Sequence, residues 1–330
     1  MQKSHLKFLA CPTCKGDLSI SEISQEKDNR IKEGLLKCQS CKKEFLIKNF
    51  IPRFVPLDNY ASSFGFEWMT HSRTQYDSYN GTKISRTRFF ASTKWPQTLH
   101  NQLMLEAGSG AGRFTEIAAS TGAMVISLDY SYAVDANYAS NGRKDNVLIV
   151  QGDIYEMPFK EGMFDRLFCF GVLQHTPDVE KAFLSLPRYL KHGGSIAVDV
   201  YRKYGGIVGA MYTKHWIRPI TRKVPPHILY NMCKKYVQFM WPFARIINRL
   251  SKYGRYINRG LLIADYGGML DLPDKALREW AILDTYDMLS PRYDSPQTRE
   301  TLKKWFKNAG LACIDVGFGW HGIEGRGVKS

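Results

Sequence analysis

No stretch of this sequence approaches the ~18 uncharged apolar residues that a membrane-spanning helix needs. The longest candidates, residues 204–213 and 236–244, stop well short. Internal repeats and low-complexity tracts are also missing, which excludes solenoids, collagen-like chains and extended disorder. Seven cysteines in 330 residues are too few for a disulfide scaffold, and four of them stand in two tight pairs. The apolar run before Cys11, Phe8-Leu9-Ala10, is too short for the core of a signal segment, so the expected compartment is the cytoplasm. The sharpest absence is of one charge sign. Of 46 basic and 31 acidic residues, thirteen of the former and none of the latter fall in 201–264, leaving 33 against 31 elsewhere. Nearly all of the net charge of +15 therefore lies in one segment. A uniformly basic chain would suggest general nucleic-acid affinity; a local block suggests one surface that meets an acidic partner.

What the chain does contain is a globular composition, 44% apolar and 23% charged. Between Leu103 and Val200, the apolar runs LMLEAG, MVISLD, VLIVQGD, FDRLFCFG and SIAVDV alternate with helical patterns. Their β-branched and aromatic content, and the ~20–30 residues between them, predict buried parallel strands joined by helices, a doubly wound α/β sheet. Residues 295–309 read as a helix stopped by Gly310, followed by the strand LACIDVGF, the turn GWHG and a last strand near 323–328. Pro52 and Pro56 mark a linker that leads into the aromatic stretch NYASSFGFEW. The expected organisation is a cysteine-bearing module at 1–50, a linker and cap at 51–100, and a main domain at 101–330 with a helical insertion at 201–264.

The segment LMLEAGSGAGRFTEIAA (103–119) reads as a strand, a glycine turn and a helix start. Gly108, Gly110 and Gly112 permit a tight turn and close approach of a ligand, and the helix amides can meet an anionic group. Several kinds of nucleotide binder share such a cluster; the next strand ends narrow the choice. Asp129 ends the second strand, 23 residues beyond Glu106, where a carboxylate can accept hydrogen bonds from ribose hydroxyls. Gly152-Asp153-Ile154 closes the third, where a carboxylate can meet an adenine amino group, and FGVLQHTPD (170–178) closes the fourth.

In this order the residues resemble the class I S-adenosylmethionine-dependent methyltransferases, in the branch of the ubiquinone and menaquinone C-methyltransferases. Glu106, Gly108, Gly110 and Gly112 match the first motif, Asp129 the ribose-binding acid and Asp153 the adenine-binding acid. Gln174-His175 match the polar pair beside the methionine end of the cofactor. The resemblance covers 103–200 closely and 295–328 loosely. It implies a seven-stranded Rossmann-like sheet, S-adenosyl-L-methionine as cofactor, and a cofactor set that also takes in Ser109, Tyr130, Ile154 and Gly171. The stretches YASSFGFEW and TQYDSYNG resemble the amino-terminal cap of related enzymes, from which Tyr60 and Gln75 would reach the cofactor. His175 stands where a catalytic base for an oxygen or carbon acceptor is needed, and equally where a residue that only holds the loop would stand. Asp199, Tyr201 and the acids of DTYDMLSPRYD (284–294) fall on loops expected at the strand C-terminal face, as substrate contacts or as turn residues.

Cys11-Pro-Thr-Cys14 and Cys38-Gln-Ser-Cys41 form two C-x2-C knuckles separated by 23 residues. Two knuckles supply four thiolates for tetrahedral zinc with no open position, which makes such a metal structural. Unrelated buried thiols or redox pairs are the alternative. Residues 9–51 resemble the zinc ribbon of small activator subunits of tRNA and release-factor methyltransferases. A zinc ribbon also precedes the catalytic domain of some ribosomal-RNA guanine methyltransferases, which have a histidine in the second knuckle where this chain has cysteine.

In the basic insertion, Arg245, Arg249, Lys252, Arg255 and Arg259 share about a 120° arc of a helix turning 100° per residue. Ile246, Ile247, Leu250, Tyr253 and Ile257 occupy the neighbouring arc. Three readings follow: a helical lid whose charges are merely solvated, contact with an anionic membrane surface or a lipid-linked substrate, and contact with RNA phosphates. The functional expectation is methyl transfer to a small or lipid-linked metabolite, such as a polyprenol-linked sugar or quinone precursor, in the cytoplasm or at the inner membrane face. RNA methylation is one alternative, with nucleic acid as partner. A non-catalytic cofactor-binding activator that holds a protein through its zinc ribbon is the other.

Overall fold

The computed structural model describes residues 1–56, 59–205, 213–250 and 253–330. Among the described residues, eleven strands form one sheet: β1 (Leu18–Lys27), β2 (Arg30–Cys38), β3 (Glu44–Lys48), β4 (Ile51–Arg53), β5 (Leu103–Ala107), β6 (Met124–Asp129), β7 (Val147–Gln151), β8 (Phe164–Cys169), β9 (Leu190–Val200), β10 (Leu311–Gly319) and β11 (Gly322–Lys329). Their order is β1-β2-β3-β4-β7-β6-β5-β8-β9-β11-β10. The five apolar runs between 103 and 200 are parallel neighbours, with registers such as Glu106↔Ser127 and Leu128↔Val150. Both faces are covered, so these strands read as continuous apolar runs rather than alternating ones. The two C-terminal strands close that edge antiparallel, β11 pairing with β9 and β10 with β11.

The helices are α1 (Ser62–Thr70), α2 (Asp77–Asn80), α3 (Ile84–Thr93), α4 (Arg113–Ser120), α5 (Val134–Asn141), α6 (Val179–Ser185), α7 (Lys214–Thr221), α8 (Pro226–Leu250), α9 (Gly254–Gly260), α10 (Asp274–Leu289) and α11 (Arg299–Asn308). Thr298 caps α11 by accepting from the Thr301 amide at 3.1 Å, and Gly310 (φ +67°) ends that segment.

The sheet is larger than the expected seven strands. Seven lie in 103–329, and four more come from the amino-terminal segment. The junction is the parallel pairing of β4 with β7 at Arg53↔Gln151, continued by the Phe54 amide donating to the Gln151 carbonyl at 2.8 Å. The buried Arg53 guanidinium donates to Gln151 Oε1 at 2.8 Å and to Asp135 at 2.7 Å, fastening β4 to β7 and α5. β7 would otherwise leave this edge open, and β4 covers it at the Gln151 end. One core cluster accordingly runs from Leu9, Ile31, Leu36 and Ile47 through Leu105, Leu128 and Val150 to Phe183, Trp305 and Phe306. The opposite face packs Phe89, Phe114, Ile117, Phe168 and Phe170.

The insertion departs from the single amphipathic helix expected across 245–259. Arg245 and Arg249 lie on α8, Arg255 and Arg259 on the separate helix α9, and Lys252 falls outside the described residues, as do residues 206–212. Gly254 lies so close to α8 that a Cβ there would come within 2.4 Å of the Ile247 carbonyl oxygen, and Asn258 Nδ2 donates to the Ala244 carbonyl at 2.9 Å. The inner face of α8, including Cys233, Val237 and Trp241, packs on α10 residues such as Leu277, Ala281 and Tyr286. Its outer face leaves Met232, Phe239, Phe243, Ile246 and Leu250 exposed, with Trp216 and Ile220 of α7 also uncovered.

Arg53→Ala should lower the unfolding free energy by about 3 kcal/mol in urea titrations, the cost of leaving buried partners unpaired. A loss under about 0.5 kcal/mol would mean that the β4–β7 junction holds without it.

Candidate functional site

The C-terminal end of β5 runs directly into a glycine loop. Gly108, Gly110 and Gly112 all have positive φ (+83°, +52° and +93°). A Cβ on Gly108 would lie 2.2 Å from the Val172 side chain, and one on Gly112 would lie 2.0 Å from Asn137 Oδ1. Any larger residue at either position meets strain and collision together. Asp129, at the end of β6, accepts the Gly110 amide at 2.8 Å through one oxygen. Its other oxygen accepts the Ser131 amide at 2.8 Å and hydroxyl at 2.7 Å. Burial pushes its carboxyl up, against the opposing pull of these hydrogen bonds.

Over this loop opens a cavity of about 1440 Å³. Of the residues expected at the cofactor, Gly108, Ser109, Gly110, Asp129, Tyr130, Ile154, Gly171, Tyr60 and Gln75 line it, and so does His175. Glu106, Gly112, Asp153 and Gln174 are not among its walls. Asp153 caps the following turn, accepting the Tyr155 amide at 2.9 Å. Gln174 is fully buried, its side-chain amide has no partner among the described residues, and its backbone carbonyl accepts from Ser295 at 2.9 Å. Tyr60 stacks on Tyr130 with centroids 4.8 Å apart, and Gln75 Oε1 accepts from Arg113. His175 is buried between Phe64 (5.0 Å) and Tyr201 (5.3 Å), its Nδ1 2.9 Å from the Tyr293 carbonyl. Burial holds its pKa below the usual histidine value, so the ring is neutral at pH 7, and the Nδ1–H···O bond leaves Nε2 as the basic nitrogen.

The four paired cysteines converge. Cys11 and Cys41 sulfurs are 3.6 Å apart, Cys14 and Cys38 3.4 Å, and all four ligand atoms lie within 4.8 Å of one another. Each knuckle turns back on itself: Lys15 (φ +58°) donates to the Cys11 carbonyl, and Lys42 (φ +63°) to the Cys38 carbonyl. Tetrahedral zinc with sulfur at ~2.3 Å requires sulfurs ~3.8 Å apart, so the donor set fits that ion.

Comparison with known proteins names these parts. Residues 105–198 match the methyltransferase domain family, and residues 2–49 match the Trm112p-like protein family. The chain joins a class I methyltransferase domain to a Trm112-like module. It is similar to sterol 24-C-methyltransferase ERG6 of Saccharomyces cerevisiae, 36% identical over 101 residues, which cover 29% of this chain and 26% of the yeast protein. It is also similar to demethylmenaquinone methyltransferase of Thermobifida fusca, 28% identical over 130 residues, 38% of this chain and 55% of that one. The chain thus spans about a quarter of the yeast protein and about half of the T. fusca protein. Among solved structures it is similar to Haemonchus contortus phosphoethanolamine N-methyltransferase 2, with 16% identity and a TM-score of 0.45, covering 82% of this chain and 48% of that one.

Within the methyltransferase domain, Glu106 lies beneath the loop. Its Oε2 accepts from Thr115 and, at 2.9 Å, from Ser127, while Oε1 has no partner among the described residues. Burial pushes its carboxyl up to about 8. Sequence reasoning missed several other groups at the cavity. Arg88 pairs with the buried Asp199 at 2.6 Å, and Asp199 also accepts the Gly171 amide. Arg113 opens α4 and stacks over Phe114 at 4.4 Å. Glu67 and His321 line the cavity from α1 and from the β10–β11 turn, and Lys214 and Arg218 line it from α7. Only Glu67 carried a signal in the sequence, as a lone acid in an aromatic stretch.

A raised carboxyl pKa costs stability as pH climbs from its unfolded value, 4.5, through its folded one, about 8. The stability of Glu106→Gln relative to wild type should therefore rise across that window, measured by denaturant unfolding at pH 5 and pH 8. An unchanged difference would show that Glu106 is ionised in the native protein.

Proposed function

We propose that the protein transfers a methyl group from S-adenosyl-L-methionine to a small or lipid-linked acceptor. The observation that carries this reading is the meeting of the glycine loop, Asp129 and the β7 and β8 ends at one cavity in a chain that bears a methyltransferase domain. In this reading Asp129 receives the ribose hydroxyls and Asp153 the adenine amino group, each exchanging a backbone partner for a ligand one. Tyr60 and Tyr130 form the aromatic wall of the nucleoside. The cap supplies Gln75, whose bond to Arg113 holds a guanidinium beside the loop for the methionine carboxylate. When bound, the cofactor supplies the electrophilic sulfonium methyl. The chain's own residues position the two reactants, exclude water and receive a proton where the acceptor loses one. His175, with Nδ1 committed to the Tyr293 carbonyl, offers Nε2 for that proton. The Cys11, Cys14, Cys38 and Cys41 cluster would hold a structural zinc that fixes the amino-terminal hairpins, with residues 1–50, 51–100 and 101–330 as ribbon, cap and catalytic unit.

The lipid side of this reading rests on the insertion. No described helix is long and apolar enough to cross a membrane. The outer face of α8 nevertheless leaves Phe239 71% and Leu250 81% exposed, in a segment with no carboxylate to repel anionic lipid. A basic, aromatic-rich helix surface suits an anionic bilayer, and sterol and menaquinone enzymes are among the relatives.

Calorimetry should show binding of S-adenosylhomocysteine, weakened roughly 10–100-fold by Asp129→Ala, the scale of a lost charged hydrogen-bond partner. Preference for NADH would overturn the assignment. Wild-type protein should float with phosphatidylcholine vesicles containing phosphatidylglycerol, and Phe239→Asp with Phe243→Asp should abolish flotation. A gel shift with RNA at ~0.15 M salt and no flotation would instead favour the nucleic-acid alternative.

A further inference from the structure

The inner wall of the cavity contains an unbalanced group. Glu67, on α1, is completely buried, lines the cavity and has, among the described residues, no hydrogen-bond partner on either carboxylate oxygen. A buried charge in this condition is costly unless something else satisfies it. Its charged neighbours are carboxylates, Asp284 and Asp287 of α10, which also line the cavity. Burial, then Asp287 and Asp284, hold the Glu67 carboxyl well above the usual range.

The two aspartates have their own compensation. Tyr266 donates to Asp284, which also feels Arg113 and Arg259. Asp287 feels the Arg218 and Lys214 cations. Those last two cations are already paired with Asp294. None of these cations is among the groups that act on Glu67. A metal ion does not explain the arrangement, because among the described residues the cysteine cluster is the one group placed to hold a metal.

We propose that Glu67, with Asp284 and Asp287, forms a subsite for a protonated amine within the methyl-transfer cavity. An ammonium group brings both what Glu67 lacks, N–H donors and a positive charge. Its neighbour Trp68 places the subsite at the glycine loop, since a Cβ on Gly110 would lie 3.1 Å from Trp68 Nε1. Two molecules of the proposed reaction could carry that group, the cofactor through its methionine ammonium and the acceptor through an amine. The proposal rests on the methyltransferase reading for those sources, but not for the subsite itself.

The test is calorimetry on wild type, Glu67→Gln and Asp287→Asn, with thermal melting to confirm that each variant is folded. The probes are S-adenosylhomocysteine, then ethanolamine and ethylene glycol titrated into protein with and without it. These last two differ by an ammonium in place of a hydroxyl. A tenfold or greater loss of S-adenosylhomocysteine affinity in Glu67→Gln assigns the subsite to the cofactor. Ethanolamine binding at least tenfold tighter than ethylene glycol, lost in Glu67→Gln and weakened in Asp287→Asn, assigns it to the acceptor. Unchanged S-adenosylhomocysteine affinity together with equal binding of ethanolamine and ethylene glycol overturns the proposal. If wild type fails to bind S-adenosylhomocysteine, the methyltransferase reading falls, while the amine comparison in cofactor-free protein still decides the subsite.

Discussion

The Asp129 carboxylate accepts the Gly110 amide at 2.8 Å, and through its other oxygen the Ser131 amide and hydroxyl. These bonds join two strand ends that the parallel register of β5 and β6 has already set side by side. They add side-chain anchors to a loop whose three glycines have positive φ, and whose Gly108 and Ser109 amides already donate to the Leu128 carbonyl at 2.7 and 3.1 Å. The orphan amides at the start of α4 and the carboxylate at the end of β6 thereby face one cavity. The remaining walls are placed relative to this corner: Trp68 against Gly110, the Tyr76 hydroxyl on the Ala111 carbonyl, and Arg88 through Asp199 to the Gly171 amide.

The amino-terminal module contributes differently. Its β4 extends the sheet along β7, whose neighbour β6 carries Asp129, so the module shares a core with the methyltransferase domain. Arg53 binds Asp135 of α5, and Asn137 and Asn141 of that helix reach Thr115 and the Gly112 carbonyl. Helix α5 thus bonds to Arg53 on one side and to the base of the glycine loop on the other. In the Trm112p-like family match the module is a separate stretch of sequence, residues 2–49, but in this fold it is an edge of the same sheet.

Much of this was legible because the signals were local. Five continuous apolar runs gave five parallel strands, glycine spacing marked the loop, and C-x2-C spacing marked the cysteine cluster. The sheet's true size was not legible, because a three-residue strand such as β4 has no period to detect and its partner β7 lies about a hundred residues away. The helix break was missed for a similar reason: charges and apolar residues keep their phase across 245–259, while the close packing of Gly254 on the Ile247 backbone of α8 is a contact that no spacing encodes. Arg88 and His321 reach the cavity through tertiary packing from two unrelated elements, and nothing in their flanking sequence places them there.

In the proposed reading, the glycine loop and the ends of β6 and β7 together hold S-adenosyl-L-methionine. Amide hydrogen exchange on the intact chain, with and without S-adenosylhomocysteine, tests it most directly. Protection should rise in residues 108–113, 129–131 and 152–155 together, and NADH at the same concentration should leave them unchanged. Equal protection by NADH, or protection confined to segments away from this corner, would contradict the account.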